Sequence, residues 1–524
     1  MNLIRLYYQL VRADLLERTR RYSFLVSLLL VIYLGYTVYA GWMVVVASGA
    51  RGLLNSAWSG AQMAVVTNTF LGLIGFYLVK NCIERDEQTG VGQIIATTPM
   101  SSQQYLLGKW ISNLAVLCLM VFILFLAAVV MQLFQQEAPQ VDLVALGLPF
   151  LLLSVPLMSL TAGMAVLFET IRWLKGVFGN IVYFMFWVWM MIFSIETVGK
   201  VLPAYDPFGI SIILGSITPS VKAVAANYSP NSFSIGPALP GEITGVFTWN
   251  GVDWTPDLLL GRLVLFLLPL LLVLLASLIF SRFDPARLPL LKGRKPDAAN
   301  GETPAAPVQA AQSSPHYFGR GQAGGFDANV LNLVWQNMRL LVKGLPWWGY
   351  ALGGLAWMGG FSSLSEEGRF WMAVTSLFPL FFLAGCGSRE RRHNTGGMVF
   401  CGARPLLRLL LAEWLAAVLL TGLFFSSTML GFIAAGEWSG AAGLGAAALL
   451  IPAAALAAGE WSGTSRVFEV VYLLAWYIGV ANAAPELDFM GVTARAVVRQ
   501  APALLAGLAW GLVLLALLGR KRQV

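Results

Sequence analysis

Apolar residues in this chain come in long blocks separated by short polar stretches, and amphipathic spacing is confined to a few segments. A helix needs roughly 20 predominantly apolar residues to cross the hydrocarbon core of a bilayer. Lipid offers a single segment no other way to pair its own backbone. By that criterion the blocks predict about twelve spanning helices, centred near Leu30, Ile74, Ile123, Pro156, Phe186, Val273, Gly354, Phe378, Leu420, Leu449, Leu474 and Val513.

One interval breaks the rhythm. LKGRKPDAANGETPAAPVQAAQSSPHYFGRGQAGG, from Leu291 to Gly325, is rich in Pro, Ala, Gly, Ser and Gln. It cannot bury a core and reads as a flexible linker. It separates residues 1–290 from residues 326–524, each carrying about six predicted spans. The expected class is an all-α integral membrane protein.

The two halves match at several points, in the same order. ERDEQTGVGQIIATTP at Glu84 to Pro99 and ERRHNTGGMVFCGARP at Glu390 to Pro405 share the frame E-R-x3-T-G-x8-P. IRLYYQLVR at Ile4 to Arg12 pairs with LNLVWQNMR at Leu331 to Arg339, and VYFMFW at Val182 to Trp187 pairs with VYLLAW at Val471 to Trp476. Each match keeps its place relative to the spans, which argues for two parallel six-helix repeats. Ahead of the first span, Leu3, Tyr7, Leu10, Val11 and Leu15 recur at helical spacing while Arg5, Arg12, Glu17 and Arg18 can face away. That pattern suits a helix lying in the membrane interface; the plainer alternative is the polar start of a long span.

Composition supports the same solvent. The chain is 58% hydrophobic and 11% charged, with a mean hydropathy of +0.72, whereas about a quarter of the residues of a soluble protein are charged. With a cytoplasmic amino terminus, 27 of the 34 Lys and Arg residues fall in inner segments, the bias expected of the positive-inside rule. The net charge of +8 and the pI near 9.3 therefore belong to cytoplasmic loops facing anionic lipid, and no nucleic-acid partner is expected. The first apolar run follows about 22 mixed residues that include Asp14 and Glu17. It is expected to remain in place as a span and not to be cleaved as a signal. The location implied is the plasma membrane, with both termini cytoplasmic.

Recognisable reaction chemistry is sparse. Cys82, Cys118, Cys386 and Cys401 fall in spans or on the inner side, where thiols stay reduced, and His316 and His393 alone give a metal site nothing to build from. A P-loop needs G-x4-G-K-[ST] so that backbone donors meet the phosphates and a hydroxyl meets magnesium. QYLLGKW at Gln104 to Trp110 lacks the first Gly and the hydroxyl. No catalytic residue, cofactor or metal is therefore assigned to this chain. Glu169, Glu196, Glu413, Glu460 and Glu469 sit near predicted span ends, where solvation at the interface is the expected explanation; Glu469, about one turn inside, is the one open to a functional role.

The repeated E-R segment has a physical reading of its own. Gly90 and Gly92 loosen the backbone after a charged cluster, Ile94 and Ile95 supply an apolar face, and Pro99 ends the segment before the chain re-enters the membrane. A short, half-apolar helix of this kind suits insertion into a partner's groove. A plain connecting loop has no reason to repeat with its spacing intact. On the other face, Val198 to Asp257 is longer than a connection needs; Tyr205, Asp206, Trp249 and Trp254 within it make a candidate outer gate. Its counterpart, Asn482 to Gln500, is much shorter.

IERDEQTGVGQIIATTPMSSQQYLLGK, from Ile83 to Lys109, resembles the loop between spans two and three of ABC-2 type transporter permeases. The resemblance implies a six-span unit that begins with an amphipathic helix and carries a cytoplasmic coupling helix. It implies export of cargo driven by two separate ABC ATPase subunits, identical or different, which hold the ATP and magnesium. One copy of this chain would then form the membrane pathway, in contact with lipid. The coupling residues implied are Glu84, Arg85, Gly90, Ile94, Ile95 and Pro99, with Glu390, Arg391, Gly396 and Pro405 in the second copy. That second copy departs from the pattern, since its start is basic and Lys109 has no equivalent near Glu413.

An ion-coupled secondary transporter is the alternative, but it would commonly carry G-x3-D-[RK]-x-G-[RK]-[RK] between spans two and three, which is not seen; a non-transporting scaffold or sensor is the third class. Charges from Glu84 to Pro99 sum to −2 and those from Glu390 to Pro405 to +2. Either the ATPases are two different chains, or one copy docks through its apolar face and the shared Glu. The topology has a direct test: a reporter near Ala310 should signal from the cytoplasm and one near Asn231 from outside. Signals from one side only would sink the twelve-span arrangement.

Overall fold

A computed structural model of the chain describes all residues except 1–2, 21, 42–43, 135–136, 138–139, 199–202, 225–232, 237–242, 244, 281–282, 284–325, 344–346, 363–365, 394, 401–404, 482–487, 491–500 and 523–524. The expected linker, most of the expected short outer loop and Cys401 lie outside the described residues. The chain divides into two compact units, Met1–Arg287 and Leu288–Val524, and each is taken by itself.

Among the described residues, eight helices are long and apolar enough to cross a membrane, and shorter apolar helices cover Leu28–Tyr39, Ile210–Val224 and Trp371–Leu383. The protein is a helical, multi-pass membrane protein. The first unit runs α1 (Leu3–Thr19), α2 (Tyr22–Tyr39), α3 (Ser56–Val79), α4 (Cys82–Gln88), α5 (Val91–Thr97), α6 (Ser102–Phe134), α7 (Leu143–Pro149), α8 (Val155–Thr170), α9 (Val177–Glu196), α10 (Ile210–Val224) and α11 (Pro256–Ile279). The second runs α12 (Phe326–Val342), α13 (Trp347–Gly359), α14 (Glu366–Leu383), α15 (Arg389–Arg392), α16 (Gly396–Val399), α17 (Pro405–Ala434), α18 (Trp438–Ser462), α19 (Arg466–Ala475) and α20 (Ala501–Lys521). Each predicted span centre lies in one of these helices. The amphipathic segment is a separate helix, since α1 ends at Thr19 and α2 starts at Tyr22.

In the first unit α3 is the central helix, buried on nearly every side. Asn55 caps it, its side chain accepting from the Trp58 amide at 2.8 Å, and Asp142 caps α7 in the same way at 2.9 and 3.1 Å. Such caps satisfy amides that no helical carbonyl can reach. Gly60 lets α3 touch α7, because a Cβ there would lie 2.3 Å from the Leu146 carbonyl oxygen. A π turn, Phe150–Ser154, joins α7 to α8. It falls between Pro149 and Pro156, whose missing N–H groups break the regular ladder.

The end of the first unit where α3 begins also carries a small sheet that the all-α expectation did not include. Strands β1 (Val44–Ala47), β2 (Ala50–Gly52), β3 (Phe233–Gly236) and β4 (Gly245–Phe247) are ordered β3-β1-β2-β4, with β1 antiparallel to β2 and β3 and β2 parallel to β4. Arg51 on β2 grips Glu137 through two hydrogen bonds of 2.8 and 3.1 Å. Together with the Leu54 amide, that guanidinium holds the Glu137 carboxyl below the ordinary carboxylate range. The described parts of the long loop after α9 contribute α10, β3 and β4.

Both units use the V-Y-x3-W motif for the same tie. Tyr183 on α9 donates to the Gly72 carbonyl at 2.6 Å, and Trp187 donates to that of Thr69 at 3.2 Å. In the second unit, Tyr472 donates to the Ser376 carbonyl and Trp476 to that of Ala373 at 3.0 Å. In each case two donors one helical turn apart reach carbonyls three residues apart on the facing helix, α3 or α14. Glycine sets the close approach of α18 to the turn after α14, where a Cβ at Gly459 would lie 2.0 Å from the Cys386 carbonyl oxygen. Gly459→Val should therefore destabilise the second unit by about 1–3 kcal/mol through overpacking. Gly511→Val, in open space, should be tolerated. Thermal unfolding of the two purified variants in detergent checks the contrast, and equal midpoints would contradict it.

Candidate functional site

The segment between α3 and α6 is a two-helix hook built by backbone geometry. Asn81 and Gly90 take positive φ values of 72° and 75°, turning the chain into α4 and then into α5, and Pro99 precedes α6. The first amides of α4 have no partners within their own helix. They point at Glu169, on the last turn of α8. Its carboxylate accepts from the amides of Cys82 at 3.0 Å, Ile83 at 2.6 Å and Glu84 at 3.2 Å. A carboxylate is favoured there also by the positive end of the helix dipole.

The inner face of α4 is fastened by side chains. Asp86 accepts from the Tyr105 hydroxyl at 2.6 Å and pairs with Lys109 at 2.9 Å. Lys109 also reaches Asp14 on α1 at 3.1 Å. Arg85 turns inward to Glu17 at 2.6 Å. Arg18 donates to Asn113 at 2.5 Å. Behind them, buried Lys80 donates to Asn180 at 2.5 Å and to the carbonyls of Leu174 and Gly176 at 3.3 Å, holding the turn between α8 and α9.

The outer face carries the remaining predicted residues. Glu84 is half-buried and accepts from the Gln88 amide at 3.1 Å. Glu87 pairs with Lys175 at 3.6 Å. Val91 is exposed, Ile94 is 68% exposed, Ile95 is half-buried and Pro99 is exposed. Gly92 does not loosen the backbone as expected: it is helical, and a Cβ there would lie 2.8 Å from the Phe283 ring. Its smallness admits that ring, which packs edge-on to Tyr105.

The second unit reaches the same kind of anchorage by other means. Helices α15 and α16 are four residues each. The Gly387 amide donates to Glu413 at 3.0 Å. Arg520, near the end of α20 and fully buried, donates to Glu460 at 2.6 Å and to Glu413 at 3.1 Å, and lies 3.7 Å from Glu390. Arg391 is exposed, Gly396 is half-buried and opens α16, and Pro405 opens α17. The missing equivalent of Lys109 is thus replaced by a cation from a different helix.

Burial corrects the expectation for the span-end carboxylates. Glu169, Glu413, Glu460 and Glu469 are all at most 4% exposed, and Glu196 alone of the five is solvent-facing. The first three are tied to backbone amides or a guanidinium because an unpaired buried charge is too costly. No local pattern marks these partners. A faint signal exists in the spacing: Glu169 and Glu460 stand 13 and 11 residues before the V-Y-x3-W motifs.

Of the outer-loop candidates, Tyr205 is exposed and Trp254 is half-buried. Trp249 is buried edge-on to Trp58 at 5.8 Å. Asp206 is fully buried and serves the start of α10, accepting from the amides of Phe208 at 2.9 Å and Ser211 at 2.6 Å and from the hydroxyls of Ser211 and Ser194. Arg262 donates to its backbone carbonyl at 2.6 Å. Among the described residues, no group of three or more His, Cys, Asp or Glu is placed to hold a metal ion.

No protein-family model, curated protein or solved structure matches this chain. The buried cluster makes a sharp prediction. Arg520→Ala leaves Glu413, Glu460 and Glu390 without their common cation and should cost about 3–5 kcal/mol. Adding Glu413→Gln and Glu460→Gln to Arg520→Ala should recover much of the loss. Thermal unfolding of the purified variants measures both, and an unchanged midpoint for Arg520→Ala would refute the assignment.

Proposed function

We propose that this chain is the membrane-spanning subunit of an ATP-driven exporter, energised by separate ATPase chains that dock on α4–α5 and on α15–α16. The observation that carries the reading is the two-faced build of α4–α5. Its outer side offers Val91, Ile94 and Glu84 to a partner, and its inner side is bolted to α1, α6 and α8 through Arg85, Asp86 and the Glu169 cap. A helix fastened in this way moves with the helices that hold it, because packed interfaces transmit displacement and do not absorb it. An apolar outer face beside a charged rim suits docking into a groove.

In this reading the chain has twelve spans in two parallel repeats, with both termini and both docking segments cytoplasmic in the plasma membrane. The shared V-Y-x3-W ties and the repeated E-R frame support the duplication, and the resemblance of Ile83 to Lys109 to ABC-2 type permeases supports the energy source. One chain would complete a pathway. The ion-coupled alternative draws on one observation, the three carboxylates gathered round Arg520. They lie beside the E-R turn and close it, which fits anchorage better than an ion path.

The test is ATPase stimulation and ATP-dependent transport in vesicles carrying the chain and its co-purified ATPases. Glu84→Lys should lower both several-fold while membrane abundance stays near that of the wild type, because a surface charge affects association more than folding. Normal stimulation by the variant would remove the docking assignment. Transport driven by an ion gradient without ATP would install the alternative.

A further inference from the structure

Helix α1 is fastened to the first unit along one side. Tyr7 and Leu10 pack on α6 at Gly108, where an added Cβ would meet Leu10 at 2.9 Å and Tyr7 at 3.8 Å. Asp14 pairs with Lys109 at 3.1 Å, and Arg18 donates to Asn113 at 2.5 Å. The apolar spacing that suits lipid is thus used, at Tyr7 and Leu10, on protein. The opposite side is an exposed stripe at helical spacing: Arg5, Tyr8, Arg12, Leu16 and, just past the last turn, Arg20. Among the described residues, none of these three arginines has a hydrogen bond or ion pair within the protein. Glu17, at the edge of the stripe, is committed to Arg85.

Depth decides what such a face meets. After Lys109, α6 carries no Lys, Arg, Asp or Glu as far as its last residue, Phe134. At about 1.5 Å per residue that run is roughly 37 Å long, enough to cross a hydrocarbon core of about 30 Å. The contacts of α1 fall on Gly108, Lys109 and Asn113, at the beginning of the run. Helix α1 therefore lies at the level of the lipid headgroups, and α2, which follows it, is again free of charge from Tyr22 to Tyr39. The second unit keeps the same face on α12. In the pairing of Ile4–Arg12 with Leu331–Arg339, Tyr8, Gln9 and Arg12 fall on Trp335, Gln336 and Arg339, and all of these are exposed. Val334, aligned with Tyr7, is buried. The Arg339 guanidinium lies 5.7 Å from the Trp335 ring centroid. Tyr and Trp concentrate at the membrane–water boundary, so the exposed aromatic and arginine common to both copies suit that level.

We infer that the exposed face of α1 binds acidic phospholipids, with Arg5, Arg12 and Arg20 on headgroup phosphates and Tyr8 and Leu16 seated at the edge of the acyl region. The inference is independent of the exporter reading, which assigns α1 no ligand. Open water would satisfy the arginines but leave Tyr8, 61% exposed, and Leu16, 47% exposed, uncovered. The headgroup layer serves both kinds of side chain. Guanidinium groups match phosphate oxygens through a planar fork. A zwitterionic headgroup offsets its phosphate with its own cation, whereas an acidic one leaves the charge for the protein. Each basic residue close to an acidic membrane surface strengthens the attachment about fivefold.

The experiment places a photoreactive benzoylphenylalanine at position 8 of the full chain and reconstitutes it in vesicles of equal parts phosphatidylglycerol and phosphatidylcholine. Mass spectrometry of the irradiated protein reads which molecule is attached. Adducts of phosphatidylglycerol should exceed those of phosphatidylcholine at least about fivefold. Adding Arg5→Glu, Arg12→Glu and Arg20→Glu together should bring the ratio to one or below, and the matched Arg5→Lys/Arg12→Lys/Arg20→Lys variant should keep most of the excess. The three arginines are exposed and tied to no side chain, so the unfolding midpoint of the reversed variant should stay at the wild-type value. If that variant does not fold, Arg5→Gln/Arg12→Gln, which leaves Arg20 in place ahead of α2, decides in its stead. A ratio near one with the native arginines, or an excess that survives their reversal, overturns the inference. Attachment to another protein or to a second copy of this chain, in place of lipid, overturns it as well and assigns the face to that partner.

Discussion

A carboxylate buried at the end of a long apolar helix must find its partners inside the protein, and in both units it finds them on the turn between two neighbouring helices. Glu169 takes the three leading amides of α4; Glu413 takes the Gly387 amide and shares Arg520 with Glu460. Where lipid excludes water, an unsatisfied donor or charge has no cheap alternative. The position of the loop segments follows from that demand. The helix α4 cannot shift along the bundle end without exposing its own amides and uncovering Glu169.

The two units meet the demand with different charge inventories. The first distributes it, with Lys109 between Asp14 and Asp86, Arg85 on Glu17 and Arg18 on Asn113. The second concentrates it in a single guanidinium facing three carboxylates. Buried ion pairs add little net stability compared with an apolar filling of the same space, yet breaking one is expensive. Their effect here is to fix where the loop sits. The guanidinium suits the second arrangement because its planar fork can address more than one carboxylate, which a point-like ammonium does less well.

The consequence reaches the surface. Whichever member of the E-R pair is drawn inward by the local cluster leaves the other outside. In the first unit the acids on α1 draw in Arg85, and in the second the cation on α20 draws in Glu390. Which charge the turn shows at its surface is thus decided by the groups packed beneath it.

The helical, membrane-embedded class was legible in the sequence, because a run of some 20 apolar residues is a local property and lipid permits one solution for it. The expected centres from Leu30 to Val513 all lie in helices, and the Gly90 turn and the Pro99 stop lie where backbone chemistry puts them. The V-Y-x3-W motif was visible as a repeat, though its work, hydrogen bonding to a facing helix, was not. Long-range pairing stayed hidden: the cap on α4 joins residues 85 to 87 apart in the chain, and Arg520 reaches its carboxylates across 60 and 107 residues. The small sheet was missed because its strands are three or four residues long and lie in two distant loops. Which face of an E-R pair is buried, which glycine admits a ring and which helix supplies a missing cation depend on what packs alongside. Spacing along one chain does not encode those neighbours, and only the tertiary structure decided them.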